Sequence, residues 1–337
     1  MKAIIQREYG APADVLQLHE VDKPSAKAGE VLVRIHATTV AGDDWHLMRG
    51  LPYFSRLATG LRKPGSSIPG QDLAGIVEAT GEGVTRFSPG DEVFGWNAGT
   101  FAEYVAVPED NLEPKPANLT FEQAASVPIV AFTALQGLRK GGLEAGAKAG
   151  QEVLIIGASG GVGTFAVQIA KAFGAIVTGV ASTRNVELVG ELGADRVIDY
   201  TRDDFTADAD RYDLILDMVG DRSLKQLRHA LKPAGTLVMV GSSRFSANGT
   251  QPQGLDRLFM GTLDRWLKAG LTSLFSGQSL RPLIHQDSHD DLVALREMLE
   301  SGQIRPVVDR GYGIEQVTEA LRYQDESRAP GKIVITV

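Results

Sequence analysis

Over about the first 125 residues the apolar positions come in short segments such as Val31–Ile35 and Ile76–Ala79. They are broken by Pro24, Gly29, Pro69–Gly70, Gly81, Gly83 and Pro89–Gly90. Short apolar runs closed by turn residues predict a turn-rich β domain. From about Ser126 the texture changes. Apolar runs recur at Val153–Ile156, Ile176–Val180, Arg196–Asp199, Leu214–Asp217, Thr236–Val240 and, more weakly, Leu280–Ile284. Helical periodicity fills the intervals around Val162–Phe173, Asn185–Leu192 and Ser223–Leu231. Strands without polar alternation, each followed by a helix, are parallel strands buried on both faces. Six of them make a doubly wound parallel sheet. Between Arg244 and Leu280 the chain is Gly/Ser-interrupted and partly apolar, and two readings stay open: an amphipathic insertion lining a binding cleft, or a structural helix. The tail predicts helices at Leu292–Glu300 and Ile314–Tyr323 and a last strand at Lys332–Val337.

The 337 residues are enough for about two domains. With the β-rich start, the tail makes a discontinuous domain of residues 1–125 and 289–337, leaving 126–288 for the α/β sheet. The 34 Lys+Arg and 42 Asp+Glu give a net charge of −8. They are spread without a basic patch, so no nucleic-acid partner is expected. No window approaches the roughly 18 apolar residues of a membrane span, and Met1–Gly10 has no signal-peptide core; a cytoplasmic location is the expectation. The absence of Cys changes the picture more. It excludes disulfides, thiolate nucleophiles, Fe–S clusters and zinc sites built with Cys.

The strongest local signal is Val153-Leu-Ile-Ile-Gly-Ala-Ser-Gly-Gly-Val-Gly163, an apolar strand meeting a Gly-rich turn that opens a helix. Against G-x-G-x-x-G, the window Ala158–Gly163 has Ala first and glycines at the other two positions. Gly160 removes a side chain where a pyrophosphate must approach, and Gly163 allows close helix–strand packing. The free N–H groups of the first turn, reached through Ser159, Gly160, Gly161, Val162 and Gly163, favour an anion. About twenty residues on, an acid would bind the ribose 2′-OH of NAD and an Arg the 2′-phosphate of NADP. Here the second strand ends in Ser182, Thr183 and Arg184, two hydroxyls and a guanidinium with no acid, which predicts NADPH. Ser182 and Thr183 also suit a helix N-cap.

Over nearly its whole length the chain resembles the zinc-independent medium-chain dehydrogenase/reductases of the quinone oxidoreductase branch. The resemblance rests on Asp44-Trp-His-Leu-Met-Arg-Gly50, Pro69-Gly-Gln-Asp-Leu-Ala-Gly75, Val84–Gly95, Gly99–Tyr104, Ala131-Phe-Thr-Ala134, Ser182–Leu188 with Leu192–Asp195 and Ile198-Asp-Tyr200, and Gly331-Lys-Ile-Val-Ile335. It implies a Rossmann domain beside a β-rich, GroES-like catalytic domain. It also implies Thr133 near the nicotinamide, Tyr200 beside the adenosine, and Val219 with Gly241 and Ser242 along the nicotinamide ribose.

Zinc-dependent relatives carry Gly-His-Glu where this chain has Gly70-Gln71-Asp72, and the histidines (His19, His36, His46, His229, His285, His289) have no ligand spacing, so no metal is expected. Without a Lewis acid, the resemblance implies hydride transfer to a small electrophilic molecule, a quinone or an α,β-unsaturated carbonyl. Zinc-free reduction of carbonyls or oxidation of alcohols is the enzymatic alternative, and an NADPH-binding sensor protein with little turnover the non-enzymatic one. Tyr53, in a loop where relatives place a tyrosine near substrate, could donate a hydrogen bond to a developing oxyanion. Asp44 is the second catalytic candidate, although Ala41-Gly42 depart from the usual preceding pair, and Asp72 stands in for a lost ligand. Edge strands of the sheet also point to a homodimer.

Overall fold

The computed structural model describes residues 1–51, 53, 56–146, 149–207, 209–240, 262–327 and 329–337. The predicted Gly241 and Ser242 lie outside them. In chain order the first part carries strands β1 (Lys2–Gln6), β2 (Leu16–Glu20) and β3 (Glu30–Val40), helix α1 (Gly42–Arg49), and strands β4 (Asp72–Thr80), β5 (Glu92–Trp96), β6 (Tyr104–Pro108) and β7 (Leu112–Pro114). Helix α2 (Pro128–Lys140) leads into β8 (Glu152–Ile156), α3 (Gly161–Ala172), β9 (Ile176–Ala181), α4 (Val186–Glu191), β10 (Arg196–Asp199), β11 (Tyr212–Asp217), α5 (Leu224–Ala230), β12 (Leu231–Met239), α6 (Thr262–Ser276) and β13 (Ser279–Pro282). The chain closes with α7 (His289–Glu300), β14 (Val308–Gly313), α8 (Val317–Ser327) and β15 (Lys332–Thr336).

Two compact units result. One comprises Met1–Val130, Asp287–Gly302 and Pro306–Val337; the other comprises Ala131–Gln286 and Gln303–Arg305. The first holds a seven-stranded sheet in the order β14-β15-β3-β4-β5-β7, with β6 also on β3, beside the β1-β2 hairpin. All its pairings are antiparallel except β14 on β15. Polar contacts tie the returning tail to it. Buried Glu113 on β7 pairs with Arg86 and with Arg296 of α7, and Asn118 donates to the Leu299 carbonyl.

The second unit is the doubly wound sheet, six parallel strands in the order β10-β9-β8-β11-β12-β13. Its centre is apolar on both faces: Val153–Ile156 and Leu214–Leu216 are all buried. Packing on it requires α3 to be apolar nearly all round, with Phe165, Ala166, Val167, Ile169 and Ala170 buried. Gln168, the polar residue among them, accepts from the Arg305 N–H and donates to the Arg305 carbonyl, which brings residues 303–305 into this unit.

Two elements correct the periodicity reading. The first 125 residues contain α1, whose signals are local rather than periodic: Asp44 at its third position closes a capping box on the Ala41 N–H, and Gly50 ends it in the left-handed region (φ +58°). Within the stretch left open, α6 sets Ala269 and Trp266 against the sheet core while Leu267, Leu271, Leu274 and Phe275 stay exposed.

Candidate active site

The dinucleotide cradle grows from the end of β8. Gly157, not the Ala158 of the matched window, makes the sharp turn: its φ is +86°, and the Gly160 N–H closes the turn on its carbonyl at 3.1 Å. The Ala158 N–H donates to the Val180 carbonyl at 3.0 Å, fixing the turn to β9. A Cβ on Gly163 would fall 2.1 Å from the Gly157 carbonyl oxygen, so only glycine lets α3 start this close to the turn. A Cβ on Gly160 would meet nothing nearer than 3.6 Å, leaving open space in front of the helix. Thr164 is the first residue of α3 to bond backward, to Gly160. The N–H groups of Gly161, Val162 and Gly163 therefore have no acceptor within the helix and face an anion's position at the positive end of the dipole. Open space, free donors and a left-handed glycine together fit a dinucleotide pyrophosphate.

At the end of β9, Ser182, Thr183 and Arg184 lead into a single 3-10 turn, Thr183–Asn185, with Arg184 exposed. The Thr183 hydroxyl is already committed, donating to Asp199 Oδ2 at 2.5 Å. Asp199 also takes the Thr201 N–H and hydroxyl and lies 3.5 Å from Arg202. These contacts, the Thr183 bond foremost, hold its carboxyl below the usual carboxylate range. The Asp199 carboxylate is thus occupied by partners from its own strand end. Tyr200 follows it, half-buried against the sheet core, with its N–H on the Ala181 carbonyl.

At the end of β11, buried Asp217 organises the loop that carries Val219. Its Oδ1 accepts the Val219 and Gly220 N–H groups at 3.1 and 2.8 Å, and its Oδ2 accepts Arg265 Nη2 of α6 at 2.7 Å. Arg265 Nη1 also donates to the Gly220 carbonyl at 2.6 Å. Burial pushes the Asp217 carboxyl up while Arg265 and the two N–H groups oppose it. The loop sets Val219 against the glycine turn: its Cγ2 lies 3.0 Å from where a Gly157 Cβ would be. Thr133 is buried on α2. Spacing could not reveal Arg265, and Asp217 showed only as an acid closing an apolar strand.

The catalytic candidates belong to the other unit. Tyr53 is half-buried and lies on the Arg56 guanidinium, 4.5 Å from the ring centre, while the same guanidinium lies 4.3 Å from the Tyr9 ring. Arg56 Nε donates to the Gly50 carbonyl at 2.8 Å, so the cation anchors Tyr53 to the end of α1. Buried Asp44 spends Oδ2 on the capping bond.

Asp72 is 1% exposed, and Lys332 Nζ, itself 3% exposed, lies 3.2 Å from its Oδ2. Thr39 donates to the same oxygen and the Ile129 N–H to Oδ1. The Gly-Gln-Asp position is therefore filled by an internal ammonium, and a metal does not fit it. Among the described residues no group of three His, Asp or Glu is placed to hold an ion, and no helix is long and apolar enough to cross a membrane.

Comparison with known proteins defines the class. Residues 27–117 match the alcohol dehydrogenase GroES-like domain, and residues 192–335 match a family described as zinc-binding dehydrogenase. The chain is 36% identical to the mitochondrial NAD(P)H oxidoreductase RTN4IP1 of Mus musculus, over 91% of this chain and 82% of that protein. It is 34% identical to the 2-methylene-furan-3-one reductase of Solanum lycopersicum, over 99% and 79%. Among solved structures, the quinone oxidoreductase from Coxiella burnetii superposes with a TM-score of 0.82 at 27% identity, covering 100% of this chain and 99% of that one. The chain belongs to the medium-chain dehydrogenase/reductase family, in its quinone oxidoreductase-like branch. It is an oxidoreductase that uses a nicotinamide cofactor.

Proposed function

We propose that the chain reduces a quinone or an α,β-unsaturated carbonyl with NADPH. The observation that carries the cofactor half is the edge of β9 and β10, where the segment Ser182-Thr183-Arg184 contains no acidic residue and the neighbouring Asp199 already accepts from Thr183 and Thr201. A dianionic 2′-phosphate would be attracted by the guanidinium of that segment, whereas a ribose diol would need a carboxylate that the segment does not contain. Gly160, Gly161, Val162 and Gly163 would hold the pyrophosphate, Ser159 and Tyr200 would flank the adenosine, and Thr133 and Val219 would line the nicotinamide half, the role that the resemblance also gives to Gly241 and Ser242. NADPH, when bound, supplies a hydride from its nicotinamide ring.

The substrate half follows from Lys332 on Asp72. With an ammonium where a metal-bound family keeps its ligand motif, no Lewis acid polarises an unactivated carbonyl, so the acceptor brings its own electrophilicity. The similarity to the 2-methylene-furan-3-one reductase of Solanum lycopersicum and to the Coxiella burnetii quinone oxidoreductase supports this choice. Tyr53, held on Arg56, donates its phenol proton toward the oxygen on which negative charge collects. A homodimer through β13, the edge strand of the parallel sheet among the described residues, and the exposed Leu267, Leu271, Leu274 and Phe275 of α6 belongs to the same reading.

NADPH oxidation with a quinone, an enone, an aldehyde and, in reverse, 2-propanol tests the proposal. Quinone and enone should turn over and the alcohol should not; efficient alcohol oxidation would reverse the assignment. In titrations, Arg184→Ala should weaken NADPH by about tenfold or more, the worth of a charge-assisted bond, and leave NADH unchanged.

A further inference from the structure

Asn185 stands where a helix N-cap would be expected to use its side chain. It precedes α4 directly and is 6% exposed, yet its amide makes no capping bond. Instead Nδ2 reaches back across the cradle, donating to Ser159 Oγ at 3.0 Å and to Ser182 Oγ at 3.4 Å. One amide thus joins the glycine turn after β8 to the end of β9.

The direction of these bonds matters. A serine hydroxyl has one proton and two lone pairs. Because Asn185 donates, it occupies a lone pair on each oxygen and leaves both protons for another acceptor. Among the described residues neither the Ser159 nor the Ser182 hydroxyl donates to anything. Thr183, the third hydroxyl of the segment, has given its proton to Asp199. The two serines are therefore held as a pair of donors within one amide's reach of each other, beside exposed Arg184. Their chemistry suits an acceptor rich in lone pairs and negative charge, a phosphate dianion.

We infer that Asn185 is a positioning residue for cofactor choice: by donating to Ser159 and Ser182 it presents both hydroxyl protons to the 2′-phosphate of NADPH. This rests on the NADPH reading and adds a residue that does not itself touch the cofactor. An amide suits the task better than a carboxylate of the same shape. Aspartate would accept from both hydroxyls, turn their protons inward and set a negative charge beside the phosphate.

The test is direct titration of the full-length protein with NADPH and with NADH, followed by cofactor fluorescence, for wild type, Asn185→Ala, Asn185→Asp, Ser159→Ala, Arg184→Ala and the Asn185→Ala/Ser159→Ala double variant. Asn185→Ala should weaken NADPH by about tenfold and NADH by less than about threefold, and Asn185→Asp should cost NADPH more. The double variant should lose less than the sum of the single losses, since both act on one hydroxyl. Melting midpoints within a few degrees of wild type show that the variants fold; if the aspartate variant does not, the alanine variants carry the test. A loss shared equally by NADH and NADPH would make Asn185 a fastener of the turn, and the inference would fall. If wild type prefers NADPH and Arg184→Ala reduces that preference while the Asn185 variants keep it, the NADPH reading stands and the Asn185 inference is overturned. If wild type binds both cofactors alike, the NADPH reading itself has failed and Asn185 falls with it.

Discussion

Lys332→Met isolates a single charge at the heart of the β-rich unit. Asp72 and Lys332 are both almost wholly buried, and the methionine keeps the length of the side chain while removing the ammonium 3.2 Å from Oδ2. Asp72 then keeps only the Thr39 hydroxyl and the Ile129 N–H. Breaking a buried pair by removing one partner costs about 3–5 kcal/mol, because the remaining charge is left uncompensated. With a urea dependence of about 2–3 kcal/mol per molar for a unit of this size, the midpoint should drop by about 1–2 M. The signal should be read in a Trp266→Phe background, so that emission comes from Trp45 and Trp96, the latter opposite Asp72 in the β4–β5 ladder. A midpoint equal to wild type would falsify the account of a paired buried charge.

The two cradle glycines should separate by mechanism. Gly160→Ala, with its Cβ in open space, should keep the melting temperature and lose dinucleotide affinity, while Gly163→Val should fail to fold its unit, as read by near-UV circular dichroism. Tyr53→Phe keeps the ring on Arg56 and removes only the hydroxyl; kcat with a quinone or enone should fall at least about tenfold with NADPH affinity unchanged. Full turnover by that variant would leave protonation to solvent. Arg265→Met leaves Asp217, already pushed up by burial, without its cation, so thermal stability should drop more at pH 8 than at pH 5.5. An equal loss at both pH values would show that Arg265 serves packing alone.

The chain's local patterns carried the architecture. Unalternated apolar runs marked all six strands of the parallel sheet, and the Gly-rich turn marked the end of β8, because a strand buried on both faces and a backbone approached by phosphate each constrain neighbouring residues in sequence. Local capping signals at Asp44 and Gly50 were equally present but were outweighed by the β texture around them. What tertiary structure alone decided are pairings between distant positions. Lys332 meets Asp72 across 260 residues, Arg265 meets Asp217 across 48, and Asn185 meets Ser159 across 26. Each is a polar side chain whose type admits many partners, and only the packing of strands and helices selects one. The missing cysteines excluded a thiolate-bound metal from the sequence by itself, since no fold can restore an absent ligand. That Asp72 is neutralised by an ammonium, and that the serine hydroxyls keep their protons, depended on which donor the folded chain brings within about 3 Å, the range over which hydrogen bonds act.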